Sequence, residues 1–343
     1  LSILRRDPIA GRWVVNIEKG GEERSKLIQN GLDYGKGVCP FCEGHEEATF
    51  PEVFAIREEA SSRDGPGWKV RVVPSISPIF GIEGGLGKRG EGIYDLMRGI
   101  GAHEIIIETP QHLKGWHLLN ADQIELVLQT YIQRISDLKK DKRFRYLLIF
   151  KNYGKDAGAF KIDHTHSQLI AMPVTPKAVK EELVGAKKYF AYKERCIFCD
   201  IIKQEKLSGK RVVYENHDFL AFCPFASRFP YETWILPKRH QCDFEGMPKE
   251  EIASLAQILK EFFGRLFSCL NDPSYHWFLY TGPNRIPGRG HWKTLCKDFH
   301  WHLEILPRLG KVAGFEWSTG FHINPVLPEE AASKLRGCTL EGK

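Results

Sequence analysis

The sequence predicts an α+β fold assembled from a duplicated unit. Three observations carry this. A Cys-x-x-Cys pair occurs twice, at Cys39/Cys42 and at Cys196/Cys199. A His-x-His stretch occurs twice, at His164/His166 and at His300/His302. Between the two in each half lie short runs of strand type and one long amphipathic helical pattern. The same order recurring at a long period marks an internal repeat. Several strands with one helix per unit argue antiparallel pairing rather than a parallel sheet. The boundary is placed near residue 190, giving an N-terminal unit over 1–190 and a C-terminal unit over 191–343.

Arg5-Arg6-Asp7-Pro8 reads as a basic turn entering a strand at Trp13. Residues 18–38 are polar and Gly-rich, hence loop. Cys39-Pro40-Phe41-Cys42 is a tight turn presenting two thiols. Residues 52–58 and 68–74 read as strands. Six glycines within 81–92 predict a loop or lid. Residues 104–108 form a buried strand that ends at Pro110 and His112. Asn120 is placed to cap a helix running to about Lys140, with Ile124, Val127, Leu128, Tyr131 and Ile135 on one face. A strand at 146–150 and a loop at 152–158 lead into the first His-x-His strand. After a Pro-punctuated helical region, 174–193, the order repeats: the second thiol turn, strands within 211–222, and a strand ending at Pro237 and His240. A helix from Pro248 to about Leu270 follows, then a strand at 275–280, a Gly- and Arg-bearing loop over 281–297, and His300-Trp301-His302. In both halves a Glu stands eight residues before the His, Glu104 to His112 and Glu232 to His240.

A chain of 343 residues is long enough for two domains. With 42% hydrophobic and 27% charged residues it belongs to the soluble globular class. No apolar run approaches the roughly 18 residues a membrane span needs, and the start lacks the apolar core of a signal peptide. A net charge of +6 is too mild for this length to indicate nucleic-acid binding. Nine cysteines, an odd number, do not form a secreted disulfide framework. They point to a reducing, cytoplasmic setting; of the five scattered cysteines, Cys223, Cys242, Cys269, Cys296 and Cys338, the first four read as buried thiols or free surface ones.

In such a setting paired Cys-x-x-Cys means metal or redox chemistry. Each half also offers a His after a strand and a His from the His-x-His stretch. Cys39, Cys42, His112 and His164 make one Cys₂His₂ set; Cys196, Cys199, His240 and His300 make the other. Both suit Zn²⁺ in closed, structural coordination. A redox pair or two buried thiols is the competing reading of either Cys-x-x-Cys taken alone. The Cys-to-His separations are far too long for a zinc finger.

If the stretch is extended, His164, His166 and Gln168 share a face. With His164 given to metal, His166 is left as general base or covalent nucleophile. Gln168 could donate to a phosphoryl oxygen, and the 152–158 loop offers backbone N–H groups. This combination points to phosphoryl or nucleotidyl transfer through an N–P bond. His302 and Glu304, the second copy, read as degenerate and non-catalytic.

Beyond these sites, Arg5-Arg6-Asp7-Pro8 with Gly11-Arg12-Trp13-Val14, Gly101-Ala102-His103-Glu104, and Gly314-Phe315-Glu316 through Asn324-Pro325 complete a pattern covering nearly the whole chain. The chain resembles the galactose-1-phosphate uridylyltransferase family of the histidine-triad superfamily. The resemblance implies two fused histidine-triad-like domains and a homodimer with substrate contacts from the neighbouring chain. It implies a ping-pong transfer of UMP from UDP-glucose to galactose 1-phosphate through a uridylyl-histidine. It makes His166 the nucleophile, with Gln168 on the phosphoryl oxygens. Asn152 and Gly158 belong to the nucleotide site, and Phe315 and Glu316 to the segment reaching the sugar. Three positions depart from the family pattern: Thr165 where Pro is usual, Phe160 where Ser is usual, and Ser75 where Asn is usual. The related ADP-glucose phosphorylases carry a small hydroxyl residue at the place of Thr165. An ADP-sugar phosphorylase or adenylyltransferase is therefore the alternative, and a zinc-stapled nucleotide-binding protein without turnover is a third reading.

Overall fold

The computed structural model describes residues 2–17, 39–159, 162–286 and 292–338. The N-terminal strands are β1 (Ser2–Arg6), β2 (Trp13–Ile17), β3 (Phe54–Arg57), β4 (Trp68–Pro74), β5 (Arg89–Glu91), β6 (Tyr94–Arg98), β7 (Ala102–Ile107), β8 (Tyr146–Tyr153) and β9 (His166–Met172). The later strands are β10 (Val212–Glu215), β11 (Phe219–Phe222), β12 (Thr233–Pro237), β13 (Tyr275–Tyr280) and β14 (His302–Pro307). The helices are α1 (Ala121–Leu138), α2 (Lys177–Lys193), α3 (Ile197–Ser208), α4 (Lys249–Leu270), α5 (Leu295–Asp298), α6 (Gly314–Thr319) and α7 (Pro328–Gly337).

The α+β reading holds: every ladder between these strands is antiparallel. Ten strands form a single sheet in the order β10-β11-β12-β14-β13-β8-β9-β7-β4-β3, with β8 and β13 paired at its centre. Neither strand then has an open edge, which removes a template for aggregation. A second sheet, β2-β1-β6-β5, takes in two segments read as turn and glycine loop, residues 2–6 and 89–91.

Strand alternation sorts the residues between two faces. One face is covered by α1 and α4. Ile124, Val127 and Leu128 of α1 and Leu255, Leu259 and Phe262 of α4 share a core with Val72, Ile106, Leu169, Ile235, Leu279 and Leu303 of the sheet. Asn120 caps α1 as its sequence demands, its Oδ1 accepting from the Gln123 N–H at 2.8 Å. The other face is divided. Over the C-terminal strands, Val179 and Leu183 of α2 and Phe198 and Ile202 of α3 pack on Leu220, Phe222 and Leu236. Over the N-terminal strands, Phe41 of the thiol turn packs on Trp68, Val73 and Ile107, and Leu4 and Met97 of the small sheet pack on Ile170. The two roofs differ, and that difference decides which His-x-His copy is open.

Two local readings are corrected, and the repeated Glu is accounted for. The second thiol pair is not a free turn: Cys196 is the N-cap of α3 and Cys199 lies in its first turn. Glu104 and Glu232 pair with arginines. Glu104 meets Arg134 of α1 at 2.7 and 2.8 Å, and Glu232 meets Arg228 at 2.8 Å, both being buried carboxylates that need a cation. Cys269 and Cys338 are not free thiols but a disulfide, because the last turn of α4 lies against the end of α7.

Candidate active site and metal centres

The thiol turn is closed by the Cys42 N–H donating to the Cys39 carbonyl at 3.2 Å, which aims both sulfurs the same way. The Nδ1 atoms of His112 and His164 face them: Cys42 Sγ is 3.3 Å from His112 and 3.6 Å from His164, and Cys39 Sγ is 3.6 Å from His164. All four donor atoms lie within 4.8 Å of one another. His164 Nε2 donates to the Thr109 carbonyl at 2.8 Å, so its Nδ1 keeps the lone pair a metal requires. The C-terminal set repeats this design. Cys196, Cys199, His240 and His300 converge within 4.8 Å. Cys199 Sγ is 3.4 and 3.7 Å from the two Nδ1 atoms. His300 Nε2 donates to the Pro237 carbonyl at 2.8 Å, and His240 Nε2 to the Cys296 carbonyl at 3.0 Å. The Cys199 thiol is held well down, first by Cys196 and then by the two histidines, as a thiolate ligand should be. Both sets could hold a metal ion, and two S and two imidazole N donors fit zinc. Four protein ligands leave no open position, so either metal would brace the fold and take no part in a reaction.

His164 lies in the bend before β9, and the strand proper begins at His166. His166 Nδ1 donates to the His164 carbonyl at 2.8 Å. Its Nε2 bonds to no described residue, and the ring, edged by Phe41 at 5.2 Å, lines a cleft shared with Lys114, Asn152, Gly154, Ala159 and Asp163. Burial and the nearby Lys151 ammonium lower His166 to about 4, so the imidazole is neutral at physiological pH.

Gln168 shares the face of His166. Its Oε1 accepts from His103 Nε2 at 2.9 Å, while the Ile79 N–H donates to His103 Nδ1 at 3.3 Å. That second bond assigns the His103 proton to Nε2 and so fixes the Gln168 carboxamide with its oxygen turned to His103. The Gln168 NH₂ is left as the donor. Asn152 is held in the same manner: its Oδ1 accepts from His276 Nδ1 at 2.9 Å across the β8–β13 pair. Gly158 closes the loop after β8 in a left-handed conformation, φ 78°, but Gly154 and Ala159 of that loop are the residues that line the cleft. Phe315 and Glu316 are not brought to the cleft within this chain. Phe315 is exposed, and the Glu316 carboxylate accepts from the Ala313 and Ile323 N–H groups, capping α6. Ser75 is buried and accepts from the Ser77 N–H, and Phe160 lies outside the described residues.

Sequence reasoning missed what stands behind β9. Lys151 is 1% exposed, and its Nζ reaches Glu108 Oε2 and Thr165 Oγ1 at 2.7 Å and the His166 carbonyl at 2.8 Å. Thr165 donates to Glu108, and Tyr131 of α1 bonds both Glu108 and Ser167. The hydroxyl at 165 thus belongs to a buried ion-pair network that clamps the backbone at the start of β9. The available signal was a lysine at an inward position of β8 and a threonine one residue before β9.

The second copy is closed. His302 Nδ1 donates to the His300 carbonyl at 3.1 Å, as in the first copy. Its ring, however, is 0% exposed, stacked by Phe198, Trp234 and Tyr280 at 5.0–5.4 Å, and its Nε2 stands 3.1 Å from Glu182 of α2. The α2–α3 roof occupies the space that the cleft occupies above His166.

Residues 88–176 match the model of the galactose-1-phosphate uridyl transferase N-terminal domain, and residues 182–336 match that of its C-terminal domain. A galactose-1-phosphate uridylyltransferase of Thermotoga maritima is 30% identical over 98% of this chain and 99% of its own length. The chain belongs to the galactose-1-phosphate uridylyltransferase family. It is accordingly a transferase by descent. An ADP-glucose phosphorylase of Arabidopsis thaliana is 32% identical over 98% of this chain and 93% of its own length. Among solved structures, a uridylyltransferase superposes with a TM-score of 0.80 at 26% identity, covering 98% of both chains. The Arabidopsis ADP-glucose phosphorylase with bound ADP-glucose superposes with a TM-score of 0.77 at 31% identity, covering 98% of this chain and 99% of that one. Family membership therefore agrees with the site, while the relatives divide over the nucleotide.

Proposed function

We propose that this protein moves a nucleoside monophosphate from a nucleoside diphosphate sugar to a phosphate acceptor through His166, with UDP-glucose as donor and galactose 1-phosphate or a related hexose 1-phosphate as acceptor. The observation that carries the reading is the His166 ring: neutral, locked through Nδ1, with Nε2 turned to a cleft. In the first half-reaction Nε2 attacks the α-phosphorus. The N–P bond forms, the P–O bond to the β-phosphate breaks, and the sugar 1-phosphate leaves with its own charge. A phosphate oxygen of the acceptor then attacks the same phosphorus and His166 departs as neutral imidazole. The Gln168 and Asn152 NH₂ groups are the donors available to oxygens that gain charge in both transition states. Cys39, Cys42, His112 and His164 would hold one zinc and Cys196, Cys199, His240 and His300 another. The first brings structural order to the His164 backbone on which His166 leans. Phe315 and Glu316, outside this chain's own cleft, would serve the sugar from the second subunit of a homodimer.

The second reading keeps His166 and changes the base: an ADP-sugar phosphorylase or adenylyltransferase. Similarity to the Arabidopsis ADP-glucose phosphorylase over 98% of the chain favours it. Positional exchange separates the two. Labelled glucose 1-phosphate is incubated with unlabelled UDP-glucose or ADP-glucose and no other acceptor. Label entering UDP-glucose supports the first reading, and label entering only ADP-glucose supports the second. Exchange with neither would reject a covalent nucleotidyl intermediate.

A further inference from the structure

A third cluster of sulfurs stands beside the C-terminal metal set and is not part of it. Cys242 Sγ and Cys296 Sγ are 2.9 Å apart. Cys242 lies two residues beyond His240 and is buried; Cys296 lies in α5, four residues before His300, and is exposed. Arg285 Nη1 is 2.8 Å from Cys296 Sγ and 3.3 Å from Cys242 Sγ, and its Nη2 pairs with Asp243. The two thiols and Asp243 converge closely enough to suggest a metal. A guanidinium already in contact with all three donors argues against one, because a second cation there would be repelled. Only three donors converge among the described residues, whereas zinc takes four. Packing does not explain the pair either, since Cys296 is exposed and fills no core.

We propose that Cys242 and Cys296 are a redox-active thiol pair that closes to a disulfide with a small-molecule disulfide such as oxidised glutathione. The exposed Cys296 attacks and the buried Cys242 resolves. Cys296 sulfur attacks one glutathione sulfur; the new S–S bond forms, the old one breaks, and one glutathione thiol leaves with the proton of Cys296. Cys242 sulfur then attacks Cys296 sulfur and expels the second glutathione thiol with its own proton. Two protein thiols are oxidised and one glutathione disulfide is reduced to two thiols. Arg285 presents a positive charge to the carboxylates of the incoming reagent and holds the Cys296 side chain toward Cys242.

The consequence follows from where the cysteines sit. The new bond would tie the segment after β12 to α5, the two stretches that carry His240 and His300. They are now joined by the His240 bond to the Cys296 carbonyl. Cross-linking them restricts the opening through which the second metal must leave.

The test uses the metal-loaded full-length protein in glutathione buffers of increasing oxidised fraction. Exchange is stopped with acid, free thiols are then alkylated in denaturant near neutral pH, and peptides are mapped by mass spectrometry, with metal counted in parallel. The expected result is a Cys242–Cys296 cross-linked peptide, reversed by reductant, with Cys196 and Cys199 still holding metal. Loss of the C-terminal metal to a chelator should then be slower by about an order of magnitude than in the reduced protein. Cys242→Ser should stop at a glutathione mixed disulfide on Cys296, and Cys296→Ser should give neither species. The proposal is overturned if wild-type Cys242 and Cys296 both stay alkylatable where an ordinary dithiol is oxidised. It is equally overturned if the mixed disulfide on wild-type Cys296 persists unresolved, or if Cys296 links instead to Cys199 with release of metal.

Discussion

Replacing Lys151 by Met keeps the aliphatic stem and removes the ammonium from a site where Lys151 is 1% and Glu108 0% exposed. Three bonds disappear together, to Glu108, Thr165 and the His166 carbonyl. Removing one partner of a buried pair costs about 3–5 kcal/mol, because the other charge is left without compensation. The orphaned carbonyl adds about 1 kcal/mol. We predict a loss of about 5 kcal/mol in urea unfolding of the metal-loaded protein at about pH 7.5. The double change Lys151→Met/Glu108→Gln should recover about half, since no buried charge remains. The pH dependence carries a sign. Burial alone would raise Glu108, but Lys151 and the bonds from Lys151 and Thr165 hold it below the usual range. In the native protein this contribution is present above about pH 4.3 and is lost as pH falls through the lower folded value. In Lys151→Met the Thr165 bond remains, but burial, the largest influence, is no longer opposed by the ammonium, so the folded carboxyl titrates above the unfolded one. Its penalty is full at high pH and is relieved as pH falls. The variant's deficit should therefore shrink between about pH 7.5 and pH 5.5. A deficit under about 1 kcal/mol, a deficit independent of pH, or a double variant no better than the single would refute the reasoning.

His103→Phe should free the Gln168 carboxamide to rotate and lower kcat by about 10²-fold, with a smaller change in KM, measured by steady-state kinetics. Because burial holds His166 at about 4, nucleotidylation should show no histidine titration between about pH 6 and 8; a midpoint near the ordinary value of about 6.5 would contradict that. Cys39→Ser should halve the metal content and also slow nucleotidylation, because the His164 carbonyl that holds His166 is anchored through that set; metal analysis beside a rapid-quench assay checks both. Gly154→Ala should destabilise the loop after β8 by more than 1 kcal/mol, roughly. Its φ is +78° and a Cβ would stand 2.3 Å from Ser274 Oγ; thermal unfolding reads this.

Much of this was legible because duplication repeats its own evidence. Either Cys-x-x-Cys alone is ambiguous, but the same two thiols with a His at the same relative places twice leave few other meanings, and both sets converge as read. Residues 68–74 and the α1 stripe were equally plain, since period-2 and period-3.6 patterns are local properties. The joining of both halves into one sheet was not legible, because the β8–β13 pairing is a long-range contact with no local signature. Nor was the asymmetry between the His-x-His copies. His302 looks like His166 in sequence, and only the placement of Glu182 and Phe198 above it closes the second site. Thr165 looked like a departure tied to nucleotide choice. Its hydroxyl instead completes the Lys151–Glu108 pair on the helix-covered face. The Cys269–Cys338 bond joins residues 69 apart whose proximity depends on where α7 docks.

The most direct test of the central claim is to trap the covalent intermediate. Metal-loaded protein is mixed briefly with UDP-glucose or ADP-glucose, quenched in alkali because phosphorus–nitrogen bonds to histidine are acid-labile, and mapped by mass spectrometry. The account predicts one nucleotidyl group per chain, on His166, absent from His166→Ala although that variant keeps its metal and fold. An adduct on another residue, or none with either donor in folded, metal-loaded protein, would contradict it.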